Sequence, residues 1–85
     1  MSFLEERKHQ ILKHKGKIVK HFKGKYYLIV DFAIDTETTE TLVIYKALHG
    51  KCELYARKLD MFASEVDHVK YPNVVQKWRF DLVEI

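Results

Sequence analysis

Four side chains of this 85-residue chain combine the type and spacing needed to handle a charged ligand or a proton. Glu37 and Glu40 stand three apart in one polar stretch, while Arg57 and Arg79 each have aromatic neighbours. Two nearby carboxylates can divide acid and base roles when burial separates their pKa values. The planar fork of an arginine, in turn, suits two-point binding of a carboxylate. The set therefore has three readings: an ion-pair network fixing a loop to the body, a ligand site, or an acid–base pair. The network is expected first and catalysis last.

His21 is the best placed of the five histidines, in mid-strand between Lys20 and Phe22. A general base needs a partner near the same proton, and its local sequence supplies none, so a structural role is expected. His9, His14, His49 and His68 lack the i, i+3 or i, i+4 pairing of metal ligands, and no CxxC motif accompanies them, so no metal is expected. Cys52 is expected to be an ordinary reduced thiol after a Gly-Lys turn. Gly16, Gly24 and Gly50 all fit turns, and no phosphate-cradling glycine motif is present. Tyr26, Tyr27, Tyr45, Tyr55 and Trp78 must divide between core and surface. Tyr45 and Tyr55, on successive strands, can face each other across the pair, either as part of a shallow groove for peptides or bases or as part of the core.

The elements that would position these groups follow from the hydrophobic pattern. Ser2-Phe3-Leu4-Glu5 matches a capping box, and Leu4, Ile11 and Leu12 follow at helical spacing, with Phe3 at the rim and Lys8 and Lys15 solvated. Beyond Gly16 the period becomes that of strands: 18–22, 26–34, 42–48, 53–58 and 78–82. In the second, Tyr26, Leu28, Val30, Phe32 and Ile34 are assigned to one face. Residues 35–41 form a polar hairpin loop, and Asp60 is expected to cap a short helix carrying Phe62 and Val66. The expected architecture is mainly β: a small, strongly bent five-stranded barrel that removes its edges by closing. Residues 1–15 form a helical extension and residues 16–85 the barrel domain.

With 47% apolar and 32% charged residues the composition is that of a globular chain. A domain this small has little core to give up for a buried cofactor, and none is expected. The single cysteine excludes an internal disulfide, and the acidic N-terminus lacks the order of a signal peptide. No apolar run is long enough for a transmembrane helix, so a cytoplasmic protein without a membrane partner is expected. The net charge of +3 is uneven. Residues 1–25 hold eight basic and two acidic residues, a net of +6, whereas residues 26–85 hold seven and ten, a net of −3. Lys13, Lys15, Lys17, Lys20, Lys23 and Lys25 form a basic head that is either a solubilising face or a grip for nucleic-acid phosphates.

Several stretches together resemble a known family. They are Gly16-Lys17, His21-Phe22-Lys23-Gly24-Lys25-Tyr26-Tyr27, Glu37-Thr38-Thr39-Glu40, Val43-Ile44-Tyr45-Lys46-Ala47-Leu48-His49-Gly50, Tyr55-Ala56-Arg57, Met61-Phe62 and Arg79-Phe80. In this order the chain resembles domain-of-unknown-function family 1653 from about Gly16 to Phe80, a group of short bacterial proteins. The resemblance implies an SH3-like small barrel and a bacterial cytosolic setting, and it implies no activity.

The function expected from the sequence is a non-catalytic binding or accessory module with an aromatic–arginine surface. Its candidate ligand residues are His21, Glu37, Thr38, Glu40, Tyr45, Tyr55, Arg57 and Arg79. The expected guest is a peptide, a protein or a small anionic ligand, and the expected state a monomer or homodimer. The alternatives are RNA or single-strand binding through the six lysines, and a small enzyme using Glu37 and Glu40.

Overall fold

In the computed structural model, which describes residues 2–84, a helix and a second short helical turn pack on one antiparallel sheet. Helix α1 spans Phe3–Leu12, with the Ser2 hydroxyl accepting from the Glu5 amide at 3.2 Å. The Glu5 carboxylate does not close the capping box but turns to Lys8 Nζ, at 3.3 Å. The strands are β1 (Ile18–His21), β2 (Tyr26–Ile34), β3 (Thr41–Ala47), β4 (Leu54–Lys58) and β5 (Phe80–Leu82), and helix α2 spans Leu59–Phe62. Their order in the sheet is β4-β3-β2-β1-β5.

The five strands match the sequence expectation, but the barrel does not close: β4 and β5 are opposite edges of an open sheet. The chain between them explains this. After β4 it turns into α2 and crosses the inner face, where Phe62 stacks on Phe80 with centroids 4.1 Å apart and planes within 5°. The coil beyond α2 then leads into β5, which is only three residues long. Side-chain packing thus fills the place of a closing ladder, with Ile11, Val19, Ile29, Val43, Tyr45, Leu59, Phe62, Ala63 and Phe80 forming the core.

The inner face of β2 is not the one that strict alternation assigns. Tyr27 and Ile29 face the core, and Tyr26, Val30 and Ile34 are exposed. The register with β3 shifts between Ile29 and Asp31, and this bulge returns Phe32 to the core side. One extra residue reverses the phase of everything beyond it.

Helix α1 also docks on an unexpected stripe. Ile11 is fully buried, as expected, but Leu4 and Leu12 are 39% and 42% exposed, and the other inward residues are Arg7 and His14. Arg7 Nη2 donates to the Phe80 carbonyl at 2.7 Å, and its guanidinium lies 4.7 Å from the Trp78 ring centroid. Arg7 and Ile11 share a face of α1 and His14 follows just beyond its end, so two of the three inward residues are polar. Lys8 is not simply solvated, because it reaches Asp60 at 2.9 Å. Helix α2 lacks the expected side-chain cap: its N-cap is Lys58, with Asp60 inside the first turn and Val66 beyond the helix. Among the described residues no helix is long and apolar enough to cross a membrane.

Candidate functional site

On the inner face of the sheet, strand alternation lines up His21 of β1 and Tyr55 and Arg57 of β4 with core residues Val19, Val43, Tyr45 and Phe80. The registers that set this are Val43↔Arg57, Tyr45↔Tyr55 and His21↔Phe80. The curl of the sheet brings the His21 end of β1 towards the Arg57 end of β4. Between them opens a cleft of about 310 Å³ lined by His21, Phe22, Lys23, Arg57, Asp67, Lys70, Tyr71 and Arg79.

Each arginine is steadied by one neutral contact. Arg57 Nε donates to the Tyr45 hydroxyl at 3.2 Å, and Arg79 Nε donates to the Ser64 hydroxyl at 3.2 Å. Neither forms an ion pair among the described residues. The lysines are held by the rings: Lys23 Nζ lies 5.9 Å from the Phe22 centroid and 5.6 Å from that of Tyr71, and Lys70 Nζ lies 5.4 Å from Tyr71. Cations are attracted to such ring faces, so these aromatics hold lysines at the rim. The one carboxylate of the cleft, Asp67, accepts the Val69 and Lys70 amides on Oδ1 at 3.0 and 3.2 Å. Four cations therefore share the cleft with one partly occupied anion.

His21 registers this surplus. Burial, then Arg79, Arg57 and Lys23, lower its pKa to about 4. Its Nδ1 accepts the Lys23 amide at 3.1 Å, which leaves Nε2 to carry the proton of the neutral ring. The ring packs edge-on against Phe80, with centroids 5.0 Å apart. The cleft can thus offer an anion two guanidinium forks, two ammonium groups and an imidazole.

Of the sequence candidates, His21, Arg57 and Arg79 come together here. Tyr45 is buried and serves through its hydroxyl, and Tyr55 packs on it at 5.7 Å while staying 42% exposed. The Glu37, Thr38 and Glu40 loop does not join them. Glu40 pairs with Lys58 at 3.1 Å, the Glu37 amide donates to Asp35 Oδ1 at 2.9 Å, and the Thr38 hydroxyl accepts the Glu40 amide at 3.2 Å. Among the described residues the expected glutamate–arginine network is therefore not formed, and the loop is organised locally by Asp35 and Thr38. The reason is the side of the ladder: Glu40 reaches the neighbour of Arg57 on β4, whose side chain points to the opposite face of the sheet.

Of the basic head, Lys15 pairs with Asp31 at 3.0 Å, Lys23 belongs to the cleft, exposed Lys13 and Lys17 line one hollow with Glu84, and Lys25 is exposed with Lys20 half-buried. Sequence reasoning missed Phe22, Asp67, Lys70 and Tyr71 as site residues. Phe22 stands beside His21, while the other three belong to a coil with no period, where only the adjacent basic and aromatic pair Lys70-Tyr71 could have drawn notice.

A family model described as a protein of unknown function (DUF1653) matches residues 17–82, from just after α1 through β5. The fold is similar to the crystal structure of a DUF1653 protein from Bordetella bronchiseptica, with a TM-score of 0.66 and 26% identity, over 81% of this chain and 86% of that one. No curated protein matches the chain.

Proposed function

The chain belongs to the DUF1653 family, and on the geometry of its cleft we propose that it is a binding module for a small anionic group, a phosphate or a carboxylate. The observation that carries this reading is that Arg57 and Arg79, brought in from opposite edges of the open sheet, converge on one cleft with no carboxylate paired to either. Unpaired guanidinium groups in a partly dry site favour an anion, and their forks fix its orientation. The faces of Phe22 and Tyr71 already hold lysines, so the guest is recognised by charge rather than by stacking. Binding without turnover fits the chemistry of the cleft. His21 has Nδ1 engaged and a pKa well below neutrality, which makes it a donor to an anion rather than a base.

The test is titration of the 15N-labelled chain with inorganic phosphate and with citrate at low salt. Shifts confined to the cleft residues are expected, and Arg79→Ala and Arg57→Ala should each weaken binding about tenfold or more, as loss of a charged hydrogen bond does. Lys17→Ala should change little. Shifts spread over all exposed lysines, unaffected by the two arginine variants, would overturn the reading.

A further inference from the structure

The two edges of the open sheet are finished differently. At β5 the outward-pointing Phe80 carbonyl is taken by Arg7 of α1, at 2.7 Å. At β4 nothing equivalent is present among the described residues. The Ala47 amide donates to the Glu53 carbonyl at 2.9 Å, and Tyr45↔Tyr55 and Val43↔Arg57 continue in the same phase. The main-chain groups of Glu53, Tyr55 and Arg57 therefore face β3, and those of Leu54 and Ala56 turn away from it. Among the described residues no hydrogen bond reaches these outward N–H and C=O groups. Leu54 is 61% exposed, and Tyr55 and Ala56 are exposed as well.

A bare strand edge is a template for another strand. A residue placed opposite Arg57 on such a strand would have its Cβ about 4.5–5.5 Å from that of Arg57 and share its face. A carboxylate there would enter the cleft with the cation surplus. Two residues along, on the same face, a side chain would lie against the half-exposed Tyr55 ring. Resting on the anion-binding reading above, we infer that the guest is an extended acidic peptide that joins the sheet beside β4 and places one carboxylate in the Arg57–Arg79 cleft. Charge selects this occupant. A second copy paired about Tyr55 would set one Glu53 opposite Arg57 but bring Arg57 and Lys58 with it, a strand of net positive charge like the cleft, whereas an acidic segment brings only the opposite sign.

The probe is an acetylated, amidated heptapeptide with a central glutamate between alternating threonines and valines, titrated into the 15N-labelled full chain. Two modified forms accompany it: one with glutamine for the glutamate, the other N-methylated at the alternate amides that would face β4. The parent peptide should shift the Leu54 and Ala56 amides together with the cleft residues. Each modification should weaken binding at least tenfold, and N-methylation of the other set of amides should not. Equal binding of the N-methylated and parent peptides overturns the edge inference. So does a parent peptide that fails to bind while inorganic phosphate binds in an Arg79-dependent way, an outcome that leaves the anion-binding reading standing. Failure of both probes removes both. A concentration-dependent dimer whose Leu54 and Ala56 amides the peptide cannot perturb assigns the edge to a second copy and overturns the inference.

Discussion

In an unfolded chain the His21 imidazole titrates near 6.5, whereas in the cleft burial and the nearby Arg79, Arg57 and Lys23 bring it to about 4. Between those values the unfolded chain binds more protons than the folded one, so stability rises with pH across the window. The contribution is complete above about 6.5 and is lost as the pH falls towards 4. Because the ring is only half-buried, solvent screening reduces it to roughly 1–2 kcal/mol. Urea unfolding at pH 7 and pH 4.5 should show a smaller difference for His21→Gln than for the parent chain, and an equal difference would contradict the assignment. At this scale the sequence was partly legible. Residue type together with the family resemblance marked His21, Arg57 and Arg79: His21 precedes Phe22, Arg57 follows Tyr55 by two, and Arg79 stands between Trp78 and Phe80. It could not show that Glu37 and Glu40 lie with Lys58 and Asp35 instead, since a carboxylate's partner depends on which face of the ladder each residue takes.

Helix α1 and strand β2 show what pattern reasoning reaches at the scale of elements, and where it stops. The bounds of β2 were legible to the residue, because Gly24 and the Asp35 loop punctuate it, but the face was not. A bulge leaves no mark in an apolar run when both alternating sets are apolar. In α1 the cap at Ser2 was legible, but the helix ends at Leu12 with its C-cap at Lys13, short of the stop expected at Gly16. The docking stripe was not legible, because Arg7 is buried by the Phe80 carbonyl and the Trp78 ring, which are distant in sequence. The expected consequence is a steep contrast between neighbours. Ile11→Ala should cost about 2–5 kcal/mol as a buried truncation, while Leu12→Ala should cost less than about 1 kcal/mol. Arg7→Met should cost about 1–3 kcal/mol, since it strands the Phe80 carbonyl at the sheet edge. Denaturant midpoints of the three variants check the order, and equal losses for Ile11→Ala and Leu12→Ala would refute the observed docking face.

For the molecule as a whole, the strand count and their antiparallel succession followed from length, turn glycines and period. The failure of the sheet to close did not, because it depends on α2 and the coil after it taking the inner face. That opening is what creates the site: it lets one edge strand contribute Arg57, and the chain entering the other edge contribute Arg79, to one cleft. It also leaves the β4 edge bare, so the Leu54 and Ala56 amides should exchange with solvent much faster than those of Val43 and Tyr45 inside the sheet. Comparable protection of the four would mean that the edge is already paired. The central claim, an anion held between the two edges, is tested most directly by the titration of His21 followed by NMR with and without saturating inorganic phosphate. The account predicts a pKa of about 4 for the free protein, rising by about one unit or more when a bound anion offsets Arg57 and Arg79. A His21 pKa that stays the same in saturating phosphate would contradict it.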